Sequence, residues 1–188
     1  MRHKYETRGI ILARAPVGES SAFLTILTPD IGLVRALAQS VRRSGAKLAP
    51  ALATFVESDL VLVRGREWWR VSGAVQNQNW CGGMPTDARR RAARVTGLFL
   101  RLVAGEAHDP SLFVIMTGFF KALAELPRDA HRAVELLAVL RVLAALGLDA
   151  GEIPQAEDPF GPTVLAEIVQ HREKYLKRIN QGIEASGL

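Results

Sequence analysis

The sequence predicts an α+β chain of two domains: a small five-stranded β-barrel over residues 1–80, then an all-helical bundle over residues 81–188. Three observations carry that prediction. The first eighty residues hold five short apolar or alternating runs, parted by turns rich in glycine and proline. After "NWCGGMP" (79–85) the apolar period lengthens from two residues to about 3.6. The net charge of +5 also lies wholly in the first part, where eleven Lys/Arg face six Asp/Glu; beyond residue 80, thirteen bases and thirteen acids cancel.

In order along the chain, "RGIILARA" (8–15) reads as a first strand, and "GESS" (18–21) ends it. "AFLTILT" (22–28) is β-branched and apolar, and "PDIG" (29–32) closes it with proline and glycine at turn positions. "LVRALAQ" (33–39) follows, and then the basic connector "SVRRSGAKLAP" (40–50). "TFVESDLVLVR" (54–64) alternates, setting Val56, Ser58, Leu60 and Leu62 opposite Phe55, Glu57, Asp59, Val61 and Val63. A two-residue hairpin around Gly65 leads into "WWRVSGAV" (68–75). Closing five such strands into a barrel removes the exposed edges that a flat sheet would leave.

Gly82, Gly83 and Pro85 mark the boundary, with Thr86 placed to cap a helix over 87–105. Its apolar stripe is Ala92, Val95, Phe99 and Leu102; Arg90, Arg94 and Arg101 lie on another face. Pro110 opens a second helix to about Leu126. A third, from Asp129 to Leu146, is apolar nearly all round, which places it at the centre of a bundle, and Gly147 stops it. A proline-rich loop leads to one last helix over 163–182.

Several function classes lose support. A single cysteine, Cys81, excludes an intrachain disulfide and any cysteine-rich zinc site. The start "MRHKYETRGI" lacks the apolar core of a signal peptide, and "LFVIMTGFF" (112–120) is half a membrane span, so a cytoplasmic protein is expected. His3, His108, His131 and His171 are scattered, with no metal-ligand neighbour at helical spacing. There is no phosphate-cradling glycine motif, and "GESSAF" is no nucleophile elbow. The expectation is a protein with no catalytic residue, no metal and no cofactor.

Binding of a polyanion is better supported. Small five-stranded barrels hold single strands with cations along the backbone and aromatic rings under the bases. The cations fall where that requires: Arg35 in the third strand, Arg42, Arg43 and Lys47 after it, Arg64 and Arg66 at the hairpin tip, and Arg70 beyond. No acid interrupts residues 40–50. Trp68 and Trp69 are adjacent, so they point to opposite faces: one into the core, the other outward to stack on a base or pack against the helical domain.

The run "RGIILARAPVGESSAFLTILTPDIGLVRALAQSVRRSGAKLAPAL" resembles the bacterial RecO family of DNA repair proteins, as do "LVLVRGREWWRVSGA" and "ELLAVLRVLAALGL" (135–148). The resemblance implies an OB-fold joined to a helical domain. It implies binding of single-stranded DNA, and of duplex in addition, with annealing of strands. It further implies recombinase loading in recombinational repair, alongside RecR and single-stranded DNA-binding protein. Many relatives carry a four-cysteine zinc segment after the leucine-rich helix; residues 147–163 have no cysteine, so zinc is excluded. At 188 residues the chain is short for the family, which implies a trimmed helical domain. In the family that domain receives the acidic, phenylalanine-ended tail of single-stranded DNA-binding protein, for which Arg128, Arg132 and Arg141 are candidates by charge. The rival reading is a non-enzymatic protein-interaction adaptor whose nucleic-acid binding is incidental.

Overall fold

The structure, a computed structural model, describes residues 4–103 and 109–188. Arg2, His3 and His108, and the expected end of the first long helix at 104–105, lie outside the described residues. Of the described residues, 4–82 and 109–113 form one compact unit, and 83–103 and 114–188 form another.

In the first unit, β1 (Lys4–Val17), β2 (Ser21–Thr28), β3 (Gly32–Ala38), β4 (Val56–Arg64) and β5 (Trp69–Asn79) close in the order β1-β2-β3-β5-β4. This is the OB-fold barrel. β1 is long because it serves two partners: residues 4–10 pair with β4 and residues 10–17 with β2, with a bulge between Ile11 and Ala13. Such a bulge bends the strand round the barrel corner. Gly9 sits on this bend, where an added Cβ would lie 2.6 Å from Ile26 and 2.8 Å from Leu60. Closure rests on a two-position parallel pairing, Ala36 with Trp69 and Leu37 with Arg70.

Alternation decides what the barrel buries. Val56, Ser58, Leu60 and Leu62 of β4 face inward, as do Leu24 and Ile26 of β2 and Val34 and Ala36 of β3. The connector 39–55 forms turns; its Val41 and Leu52 are buried in the barrel core, with Leu48 and Ala49 packed alongside. The apolar members of a charged loop thus hold that loop to the barrel. Ser58 Oγ, fully buried, donates to the Ala51 carbonyl at 2.7 Å, which fastens the connector near its C-terminal end.

Local expectations shift in three places. The β4–β5 turn is four residues long, Gly65 to Trp68, closed by the Gly65 N–H on the Trp68 carbonyl at 3.1 Å, so β5 begins at Trp69 and runs on to Asn79. A short helix α1 (Trp80–Gly83) precedes α2 (Thr86–Leu102). Thr86 makes no cap: Pro85 takes that position in extended conformation, and its carbonyl accepts from the Arg89 N–H. Proline's fixed φ suits the position, and its missing N–H costs nothing there.

The second unit is helical: α3 (Pro110–Glu125, whose first residues group with the barrel), α4 (His131–Ala145), α5 (Pro162–Gln170) and α6 (Arg172–Ala185). The expected single last helix is two, broken at His171, whose φ of −108° and ψ of 28° leave the helical region. α4 is buried on nearly every side and packs against α2, α5 and α6. Gly147 ends it at φ +71°, letting the Leu148 N–H reach back to the Leu143 carbonyl at 2.8 Å.

Candidate nucleic-acid interface

The outward residues of β2, β3 and β5 form continuous cross-strand rows. The register pairs Ala15 with Phe23, Phe23 with Leu37, Leu37 with Arg70, and Arg70 with Val63. One step along the ribbon, Thr25 pairs with Arg35. Side chains on such rows stand about 5 Å apart, and diagonal neighbours remain in reach of long side chains. Phe23, Leu37, Arg35 and Arg70 therefore share one patch of the barrel wall.

Within it, the Arg35 guanidinium lies over the Phe23 ring, 4.3 Å from its centroid. Trp68, which is 38% exposed, meets the same ring edge-on at 5.2 Å and 80°. The aromatic face orients the guanidinium while leaving its N–H donors unspent. Trp69 is the inward partner of the tryptophan pair, 4% exposed, with Tyr5 edge-on at 5.0 Å and the Arg64 guanidinium 4.8 Å above its ring. The ambiguity of "WW" thus resolves: Trp69 fills the barrel and Trp68 faces out.

The connector continues the ribbon past β3. The Arg42 N–H donates to the Ser20 carbonyl at 2.8 Å, and Arg42 Nη1 to the Gly18 carbonyl at 3.0 Å. This fastens Arg42 to the β1–β2 loop, at the end of the barrel where β2 begins, two residues before Phe23. Arg43 and Lys47 follow as exposed residues on turns, and Arg66 is exposed in the β4–β5 loop. Register thus brings Arg35 and Arg70 together, and hydrogen bonds hold Arg42 to the adjoining β1–β2 loop; among the described residues no hydrogen bond or ion pair ties Arg43, Lys47 or Arg66 to the patch, although the last shares the four-residue loop with Trp68. Among the described residues, Arg35, Arg42, Arg43, Lys47, Arg66 and Arg70 form no ion pair, whereas Arg8 on β1 does, with Glu57 at 3.8 Å. In barrels of this topology, strands 2 and 3 with the 1–2 and 4–5 loops are the surface that takes oligonucleotides. Arg35 lies on strand 3, Arg66 in the 4–5 loop, and Arg42, Arg43 and Lys47 on the connector after strand 3, while Arg70 follows on strand 5 and Arg64 ends strand 4.

The helical unit holds a cavity of about 730 Å³ between α2, α4, α5 and α6. Its apolar wall includes Leu98, Leu136, Val139, Ile168 and Ile179, and four arginines, Arg91, Arg94, Arg132 and Arg172, line it beside Asp129 and Glu135. Of the three helical arginines singled out by charge, Arg132 lines this cavity and the other two do not. Arg128 approaches Asp87 at 3.9 Å. Arg141 reaches the Pro154 carbonyl at 3.3 Å and stacks over Phe160 at 5.0 Å; burial lowers its pKa below the ordinary guanidinium value, and Asp158 opposes that shift. Arg128 remains largely exposed beside Asp87, whereas Arg141 is engaged by Phe160 and the Pro154 carbonyl.

Sequence reading missed Phe23, Leu37 and the cavity. Phe23 carried a usable signal, since in "SAFLT" it alternates in phase with Ser21 and Thr25 on the polar face. The cavity carried none, because its lining comes from four separate helices. Among the described residues no cluster of three or more His, Cys, Asp or Glu is placed to hold a metal ion, and no helix is long and apolar enough to cross a membrane.

Residues 1–77 match the family model described as Recombination protein O N terminal. The chain is 33% identical over 143 residues to the DNA repair protein RecO of Gloeobacter violaceus, covering 72% of this chain and 54% of that protein. It is 37% identical over 122 residues to the protein of the same name from Dehalococcoides mccartyi, covering 64% and 48%. With that of a Nostoc species it shares 29% identity over 153 residues, covering 79% and 51%. The chain spans about half the length of these curated relatives.

Proposed function

Through its barrel sequence this chain belongs to the RecO family of DNA repair proteins, and from that premise we propose that it binds single-stranded DNA and promotes annealing and recombinase loading, without an active site of its own. The observation that carries the DNA-binding step is the patch of Phe23, Arg35, Leu37, Trp68 and Arg70, where cations stand beside outward aromatic rings and form no ion pair among the described residues. Arginine and lysine screen the phosphates of two strands that would otherwise repel, so complementary bases can meet. Counterion release then makes affinity fall with salt, by a log–log slope of about 0.7 per phosphate contacted on a single strand. A strand-annealing assay with bare and protein-coated complementary oligonucleotides, repeated across salt concentrations, tests this. Annealing that is accelerated at low salt and lost as salt rises supports the reading; no acceleration at any salt removes it.

The rings and the charges have separable signatures. Phe23→Ala and Trp68→Ala are each expected to weaken binding of oligothymidine about 5- to 100-fold, the worth of one stacked base at roughly 1–3 kcal/mol. The salt slope should stay unchanged, because no cation is removed. Fluorescence anisotropy with a labelled oligothymidine measures both; an altered slope with unaltered affinity would contradict the stacking role.

The helical cavity supports the partner side of the proposal. An apolar pocket rimmed by arginines fits the acidic, phenylalanine-ended tail of single-stranded DNA-binding protein, the ring entering among Leu136, Val139 and Ile168 and the acids meeting Arg132 and Arg172. RecR is the other partner that family membership proposes, and a cytoplasmic location fits both.

A further inference from the structure

The cavity in the helical unit already contains a carboxylate of the chain's own. Glu135, on α4, accepts from Arg94 Nε at 2.9 Å through Oε1 and from Arg94 Nη2 at 3.0 Å through Oε2, and Arg91 Nη1 donates to the same Oε2. Both oxygens are engaged, and all three residues line the cavity. The side chains of Glu135 and Arg91 are 20% and 23% exposed, so this pair is set into the wall, while Arg94 closes over it from the more exposed side. Arg91 Nε is buried with no acceptor among the described residues, which leaves a donor unsatisfied on that wall. Arg132 stands one turn before Glu135 on α4, and among the described residues it forms no ion pair. Among the described residues, the one ion pair of Arg172 is the exposed contact with its neighbour Glu173 at 3.5 Å.

The cavity therefore carries two kinds of arginine. Arg132 and Arg172 offer charge to a guest. Arg91 and Arg94 offer the geometry that grips a carboxylate, and Glu135 holds it. We infer that Glu135 is a built-in competitor for the acidic peptide, a resident anion that shares the arginines the guest needs and keeps capture of the guest weak and readily reversed. The inference rests on the reading of this cavity as a peptide site. It adds the residue that sets how tightly the site binds. The physical reason for such a residue is plain. Without Glu135, two guanidinium groups beside an apolar wall would face each other uncompensated in the empty site. With it, every acidic guest meets a fixed negative charge.

The test uses the full chain and a fluorescein-labelled hexapeptide, Asp-Asp-Asp-Asp-Leu-Phe with a free C-terminus, followed by anisotropy at two salt concentrations. Glu135→Gln keeps the shape and one acceptor for Arg91 while removing the charge. It is expected to tighten peptide binding about five- to tenfold at low salt, as removal of one unit charge near a partly exposed site should, with less gain at high salt. A control peptide with asparagine for each aspartate should show no gain. Thermal denaturation of the variant confirms that both proteins are folded at the assay temperature. If wild type and variant bind equally, or the variant binds more weakly, Glu135 does not compete and the inference is overturned while the peptide site stands. An equal gain for the asparagine peptide likewise overturns it, since the change would then be one of packing. If neither protein binds the acidic peptide, both the site and the inference fail; binding by the variant alone supports both.

Discussion

Converting Arg42, Arg43 and Lys47 together to glutamate is expected to lower the affinity for oligothymidine by two to three orders of magnitude at low salt and to reduce the log–log salt slope by about 2, the equivalent of three phosphate contacts at roughly 0.7 each. None of the three forms an ion pair among the described residues, so none of their charge is already spent. Reversal replaces three attractions by three repulsions, which accounts for an effect larger than simple deletion. The loss should be the same for any base sequence, because phosphates carry no sequence information. Arg42 also donates to the Gly18 carbonyl, so the Arg43→Glu, Lys47→Glu pair serves as a control that spares the loop anchor. Salt-titrated anisotropy reads both quantities. An unchanged slope in the folded triple variant would remove the connector from the mechanism.

Trp69→Ala is expected to cost about 3–5 kcal/mol of stability, the usual range for emptying a large aromatic site in a core. The ring is 4% exposed, lies against Tyr5 and Arg64, and belongs to the strand that closes the barrel through its pairing with Ala36. Its loss opens a cavity at the weakest seam, where the parallel ladder is only two positions long. Trp68→Ala, one residue away, should change stability by less than about 1 kcal/mol, as an exposed side chain does, and should act on DNA binding instead. Urea denaturation followed by tyrosine fluorescence or circular dichroism separates the two. Equal destabilisation by both variants would contradict the assignment of their faces.

That pair of residues shows where sequence reading stops. Alternation requires Trp68 and Trp69 to point opposite ways, but the pattern around them, "REWWRVSG", is polar at one end and mixed at the other, so its phase is open. The phase is set by tertiary pairing: Ala36 and Arg64 both lie opposite Trp69 in register. β4 was legible because its β-branched and alternating run is bounded by turn residues, and α4 because an all-round apolar helix has only one place to go. The break at His171 had no sequence signal, since "IVQHREKYL" contains neither glycine nor proline. Charge in the connector was visible as composition. What composition could not reveal is that its leucines anchor it to the barrel, and that Phe23 supplies the aromatic surface beside Arg35. The role of Glu135 depends on Arg91 and Arg94, some forty residues earlier in the chain and on a different helix, a separation that no local pattern reports.

In the proposed function, single-stranded DNA lies across the outward faces of β2, β3 and β5. Two-dimensional NMR of the isotopically labelled full chain, titrated with a short oligothymidine, tests this most directly. The account predicts shifts at the Trp68 indole N–H, the amides of Phe23, Leu37 and Arg70, and the Arg35 guanidinium, with the Trp69 indole N–H little changed. Shifts confined to outward residues of β1 and β4, such as Glu6 and Asp59, or to the helical unit alone, would contradict it.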